Sequence, residues 1–374
     1  MIKIVADINI PFLKGALEEV CQMVYLPGSD IKKEHVKDAD ALIVRTRTKC
    51  NQELLEGTSV KFIASATIGF DHIDTEYCRD NGIVWTNAPG CNASSVKQYI
   101  SSALAEIIQQ ERMRFRDLTI GIIGVGNVGS RIENMARVLG MNVLLYDPPR
   151  QRKEQLKEFS SLVYLQEASD IITLHVPLNL HEDRTYHMVD DQFLSRMKKG
   201  AWIINSSRGE VVDTPALIKA LKTHYLSGAV LDVWENEPRI NRQLLELALL
   251  TTPHIAGYSV DGKAKGTSMS VNAVSDFFDL GMENWCPSKL PKPTHHTMVI
   301  DCRETYEEEI FIKSSRFAYD IVKDSDQLKN NPEKFEKLRS NYPVRREPEV
   351  LRVKMNHKTD QCAGLLRALG FWID

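Results

Sequence analysis

Short apolar runs alternate with helix-forming stretches through residues 1–93, and 2–6, 41–44, 62–66 and 83–86 read as strands. That rhythm predicts a parallel α/β fold. Across 94–113, Val96, Ile100, Ala103, Leu104, Ile107 and Ile108 recur at helical spacing, predicting a long helix that joins two domains. Leu118, Ile120, Ile122 and Ile123 then form a buried strand, and 143–147, 171–174, 202–205 and 229–233 extend the same sheet. Pro287, Pro291 and Pro293 prevent a continuous helix over 284–297 and mark a boundary. Beyond it, 298–302 and 350–355 read as strands, and 306–322 and 361–369 as amphipathic helices. The expected fold class is α/β, with two Rossmann-like or flavodoxin-like parallel-sheet domains and a small C-terminal α/β domain. A segment as short as the last folds alone only marginally, so a dimerisation module is expected there, with a lid or a structural extension as alternatives.

The sheet that begins at Leu118 brings the first chemistry. Gly124-Val-Gly126-Asn-Val-Gly129 follows a strand and opens a helix, where a tight turn brings backbone amides close to a pyrophosphate. Asp147 ends the next strand about 20 residues on, the place of an acid that accepts from a ribose diol. Strand, helix and acid in register predict a dinucleotide site. An acid there favours NAD over NADP, although Arg150 beside it would offset part of the repulsion of a 2′-phosphate.

Forty-seven basic against 50 acidic residues leave a net charge of −3, which offers no field for nucleic acid or an anionic membrane. The opening residues read as a strand rather than a cleavable leader, and no apolar run is long enough to span a bilayer, so a cytoplasmic protein is expected. Seven scattered cysteines without a Cys-x-x-Cys pair point to reduced thiols and no structural zinc. His295-His296 sits in the Pro-rich stretch without nearby carboxylates, so a linker is expected there and no metal.

Oxidising an alcohol with a nicotinamide requires a base for the hydroxyl proton, a role that suits histidine. His254, in Thr252-Pro-His-Ile-Ala-Gly257, stands at a predicted strand end, and Glu237 is placed to orient an imidazole. Arg208, just past another strand end, suits a carboxylate held by a guanidinium fork. Taken singly, His254 reads more readily as a loop histidine, Glu237 as a helix-initiating acid and Arg208 as a surface ion-pair partner; the joint arrangement is what favours the site.

Gly124–Gly129, Asn205-Ser-Ser-Arg-Gly209, Leu231-Asp-Val-Trp-Glu-Asn-Glu-Pro238 and Thr252–Gly257 together resemble the D-isomer-specific 2-hydroxyacid dehydrogenase family over roughly residues 1–280. The resemblance implies catalytic Arg208, Glu237 and His254. It also implies NAD contacts at Gly124, Gly126, Asn127, Val128, Gly129, Asp147, Val176, Ser206, Ser207, Asp232 and Gly257. It divides the chain into a discontinuous substrate domain (1–93 and about 268–284), an NAD domain (94–267) and a C-terminal dimerisation domain (285–374). Ala88-Pro-Gly-Cys-Asn-Ala93, Tyr258 and the extra domain resemble one branch that acts on a small phosphorylated hydroxy acid; there Thr46, Thr67 and Tyr258 contact substrate. Asn341-Tyr-Pro-Val-Arg-Arg-Glu347 resembles that branch's dimerisation domain, which implies a homodimer. Arg45, Arg47, Lys49 and the amides of 67–69 are the candidates for the phosphate, with Arg45 equally readable as a sheet-edge residue. The alternatives are another member of the family, acting for example on 3-phosphoglycerate, and a non-catalytic NAD-sensing corepressor.

Overall fold

Apolar residues at alternating positions must cover both faces of a parallel sheet, and the first sheet shows how. Its strands are β1 (Ile2–Asp7), β2 (Cys21–Leu26), β3 (Ala41–Val44), β4 (Phe62–Ser65) and β5 (Val84–Thr86), all parallel in the order β2-β1-β3-β4-β5. Val5, Leu42 and Ile63 enter the core on one face. Ile4, Ile43 and Ala64 enter the other, against Val271 and Val274 of the helix Val260–Phe278. The computed structural model describes residues 1–155, 158–293, 295–303 and 306–374, and this sheet belongs to a unit of Met1–Asn92 with Tyr258–Lys292. The helix Val260–Phe278 runs unbroken through the expected boundary at 267/268 and lies wholly in this unit, so the chain changes unit at Gly257/Tyr258.

The second unit, Ala93–Gly257 with Pro293–Asp374, holds β6 (Thr119–Ile123), β7 (Asn142–Tyr146), β8 (Ile171–Leu174), β9 (Trp202–Asn205), β10 (Gly228–Leu231) and β11 (Leu250–Thr251). They form a parallel sheet in the order β11-β10-β9-β8-β6-β7. Because β6 pairs with β7 on one side and β8 on the other, the loop after β6 sits where the winding reverses, the usual ligand crevice of such sheets. The helix Ala93–Glu111 belongs to this unit and is buried around most of its circumference.

The C-terminal segment shares that burial. Its sheet, β12 (Thr297–Asp301), β13 (Arg352–Asn356) and β14 (Trp372–Ile373), is parallel in that order. Ile310, Phe311, Leu365 and Leu366 join one core with Ile100, Leu104 and Phe115. Phe115 and Phe311 meet edge to face at 5.2 Å. The expected single helix over 306–322 is instead two, Glu307–Ala318 and Ile321–Asn330. Tyr319 between them is extended, and the Asp320 carboxylate accepts from Lys323 N at 3.3 Å, starting the next helix. Cys302 and Cys362 form a disulfide, against the expectation of reduced thiols throughout. The fold brings β12 and the helix Asp360–Leu369 together, a proximity that scattered spacing does not encode.

Candidate active site

The glycines after β6 are fixed by close approach. Gly124 has φ 86°, and a Cβ there would strike the His175 carbonyl; one on Gly129 would strike the Gly124 carbonyl. A residue with a side chain would therefore push the start of the helix Gly129–Val138 away from the loop. A Cβ on exposed Gly126, by contrast, would meet nothing within 4 Å. Asp147 closes the cradle: its Oδ2 accepts from Val125 N at 2.8 Å and its Oδ1 from Arg150 N at 3.0 Å. The Arg150 guanidinium grips Glu154 with two hydrogen bonds of 2.7 Å and donates to the Val125 carbonyl. That cation is engaged locally, which weakens it as a partner for a 2′-phosphate. Ser206 Oγ, just past β9, is buried without a hydrogen-bond partner among the described residues. Glycine cradle, strand-end acid and orphaned hydroxyl fit a dinucleotide.

The other candidate residues of this unit follow strand ends on the same edge. Val176 lies after β8, Ser206, Ser207 and Arg208 after β9, Asp232 and Glu237 after β10, and His254 and Gly257 after β11. Arg208 is partly buried and donates to the Ser207 carbonyl at 2.9 Å. Asn205 shapes this turn, donating to the Arg208 carbonyl at 2.9 Å and accepting from Ser207 N at 3.0 Å.

Glu237 and His254 form one hydrogen-bonded pair. Glu237 Oε1 accepts from Trp234 N at 3.0 Å, while Oε2 lies 2.8 Å from His254 Nδ1 and 4.0 Å from Arg339 Nη1. Burial would push the Glu237 carboxyl up, but the hydrogen bond and charge of His254, the Arg339 guanidinium and the Trp234 N–H together hold it below the ordinary carboxylate range. An ionised carboxylate only accepts, so Nδ1 is the ring nitrogen that bears hydrogen and Nε2 is left with the basic lone pair. The imidazole remains 29% exposed. His175, the neighbour of Val176, is unsuited to the same work: burial pushes its ring down to about 3.

The His254 loop is held by Asp232, which is fully buried. Its carboxylate accepts from Thr252 Oγ1 (2.7 Å), Ile255 N (2.7 Å) and Ala256 N (2.8 Å). The Thr252 hydroxyl also meets Tyr99 Oη at 2.8 Å. Thr252, Tyr99, Arg339 and Arg345 were not singled out as site residues by the sequence; the latter two lie more than eighty residues from His254 and give no local signal.

In the first unit, Thr46 follows β3 and is exposed, and Thr67 follows β4, with its hydroxyl donating to the Gly69 carbonyl at 3.0 Å. The Ser65 hydroxyl ties Thr67 Oγ1 (2.9 Å) to His72 Nε2 (3.2 Å), a ring that burial pushes down to about 4. Gly266 lets the helix Val260–Phe278 approach this turn, since a Cβ would lie 2.7 Å from the Ala66 carbonyl. Tyr258 stands just before that helix, with Lys263 Nζ 4.5 Å from its ring centre. Arg45 Nη1 donates to the Asn9 carbonyl at 2.9 Å. Among the described residues no three His, Cys, Asp or Glu side chains converge as for a metal, and no helix is long and apolar enough to cross a membrane.

Comparison with known proteins agrees with this geometry. Residues 95–256 match the D-isomer specific 2-hydroxyacid dehydrogenase, NAD binding domain, and residues 290–370 match a domain of unknown function (DUF3410). The erythronate-4-phosphate dehydrogenase of Bacteroides fragilis is 50% identical over 353 residues, covering 94% of this chain and 99% of its own. That of Porphyromonas gingivalis is 40% identical over 372 residues, covering 99% of each. The Aquifex aeolicus D-lactate dehydrogenase solved with NAD and lactic acid superposes with a TM-score of 0.63 at 30% identity, over 75% of this chain and 97% of that one. The six-stranded sheet is therefore an NAD-binding domain. The chain belongs to the D-isomer-specific 2-hydroxyacid dehydrogenase family of NAD-dependent oxidoreductases, alongside relatives named erythronate-4-phosphate dehydrogenase.

Proposed function

We propose that this enzyme oxidises 4-phospho-D-erythronate with NAD, giving (R)-3-hydroxy-2-oxo-4-phosphooxybutanoate and NADH, a step of pyridoxal 5′-phosphate biosynthesis. The observation that carries the reading is the Glu237–His254 pair beside an NAD-binding sheet, joined to near full-length similarity to enzymes of that name. NAD on the β6 edge supplies the hydride acceptor. His254 Nε2 takes the C2 hydroxyl proton, Glu237 steadies the protonated ring, and Arg208 holds the substrate carboxylate. Gly124, Gly126, Asn127, Val128, Gly129, Asp147, Val176, Ser206, Ser207, Asp232 and Gly257 hold the cofactor, while Thr46, Thr67 and Tyr258 of the first unit contact substrate. A panel of 4-phospho-D-erythronate, unphosphorylated erythronate, 3-phosphoglycerate and D-lactate, followed by NADH formation, tests this. The phosphorylated four-carbon acid is expected to give the highest kcat/KM, with NAD preferred over NADP. A higher value with 3-phosphoglycerate contradicts the substrate assignment, and equal efficiency with NADP contradicts the role given to Asp147.

A cytoplasmic homodimer completes the proposal. For the dimer, the support is one face of the C-terminal sheet: Val299 and Trp372 are 62% and 67% exposed, on strands where Arg352 and Lys354 also face outward. Large apolar side chains gathered on a small sheet suit an interface between copies. Trp372→Glu is expected to shift the sedimentation coefficient from dimer to monomer. A Trp372→Glu protein that still sediments as a dimer at the same concentration places the interface elsewhere.

A further inference from the structure

Arg345 is 5% exposed, and it comes from the C-terminal segment. Its Nη2 donates to the carbonyls of Ile255 (3.0 Å) and Ala256 (2.6 Å), the two residues after His254, and reaches Ser95 Oγ at 3.4 Å. The amides of the same two residues donate to Asp232. The turn behind the imidazole is thus gripped by a buried carboxylate through its N–H groups and by a buried guanidinium through its carbonyls.

That grip answers a local need. His254 has φ 58°, a left-handed conformation that is unfavourable for a residue with a side chain and persists only where the surroundings hold it. Arg345 is itself held: its guanidinium lies 4.5 Å from the Tyr319 ring centre and 5.5 Å from that of Tyr342. Both phenols donate to Asp324 Oδ2, at 2.8 and 2.6 Å. Arg345 Nε and Nη1 have no hydrogen-bond partner among the described residues. A buried cation so incompletely satisfied is a poor choice for filling space, since apolar residues of similar volume commonly stabilise a core as well or better. Its return lies in what Nη2 fixes.

We propose that Arg345 is a positioning residue for His254, so that the C-terminal segment, besides any part in dimerisation, completes the acid–base loop within its own chain. The proposal rests on the reading of His254 as the base. It is tested in the full-length enzyme with Arg345→Met and Arg345→Lys, by kcat for 4-phospho-D-erythronate, NADH affinity by fluorescence titration, and circular dichroism for folding. A loop displaced by about 1 Å loses catalysis while Gly124–Gly129 and Asp147 still hold most of the cofactor, so Arg345→Met is expected to lower kcat roughly 10- to 100-fold, with NADH affinity within about threefold. Arg345→Lys keeps a donor for the carbonyls but not the guanidinium's fork, so it is expected to recover only in part, to about two- to tenfold below wild type. A folded Arg345→Met enzyme with kcat within twofold of wild type overturns the proposal. Should that variant not fold, Arg345→Lys decides: reduced kcat at unchanged NADH affinity supports it, and unchanged kcat overturns it. His254→Ala run in parallel separates the two readings. Loss in His254→Ala with none in the Arg345 variants refutes this inference alone, whereas normal turnover by His254→Ala refutes the reading beneath it.

Discussion

Replacing His254 by alanine is expected to lower kcat for hydroxy-acid oxidation by roughly 10²- to 10⁴-fold, the range lost when a positioned general base is removed. The expectation follows from the ring's two nitrogens. Nδ1 is committed to an ionised carboxylate at 2.8 Å, so Nε2 is the basic atom. NAD affinity should change little, because the glycine cradle and Asp147 lie at the other half of the sheet edge, after β6 and β7. Steady-state kinetics beside a cofactor titration check both statements. Near-normal turnover by a correctly folded His254→Ala enzyme returns this residue to an ordinary loop position.

Glu237→Gln is expected to lower kcat by about 10-fold or more and to displace the pH profile in a defined direction. The carboxylate is held ionised by His254, Arg339 and the Trp234 N–H in spite of its burial, so near neutral pH it presents a full negative charge to the ring. An adjacent negative charge favours protonated imidazole, and a neutral amide withdraws that support. Oxidation needs His254 unprotonated, so the ascending limb of kcat/KM against pH moves to lower pH in Glu237→Gln. The positive charge of Arg339, whose Nη1 lies 4.0 Å from the Glu237 carboxylate, pushes the same way. A limb that stays in place, or moves to higher pH, contradicts the assigned coupling.

The candidate site was legible because the residues that make it sit next to strand ends, and strands of a parallel sheet announce themselves. Runs such as Ile171–Leu174 and Trp202–Asn205 are buried on both faces and read as unbroken apolar segments. Position after a strand then gives Arg208 and His254 a place before any contact is known, whereas Asp232 falls within the run read as a strand and is picked out only by the family resemblance. Where the pattern thins, so does the reading. Edge strand β2 buries only Cys21, its apolar run Met23–Leu26 being half-buried, and β11 and β14 are two residues each. The helix expected over 306–322 looks continuous because Phe317 and Ile321 keep helical spacing; what breaks it is Asp320 capping the next helix. Arg345 shows the larger limit. In Asn341–Glu347 it reads as part of a dimerisation motif, yet its guanidinium closes a loop 90 residues earlier in the same chain. Long-range pairing of a buried cation with two backbone carbonyls leaves no periodicity and no spacing to read.

The hydrogen on C2 of 4-phospho-D-erythronate is expected to leave as hydride for NAD while its hydroxyl proton leaves through His254. A single turnover of 4-phospho-D-erythronate deuterated at C2, with enzyme in excess and the cofactor and acid recovered for mass spectrometry, tests it most directly. One deuterium in the reduced nicotinamide, an equal amount of the 2-oxo acid, and a step slower than with the protiated substrate are expected. Recovery of unlabelled cofactor together with intact deuterated acid, from an enzyme shown to bind NAD, contradicts it.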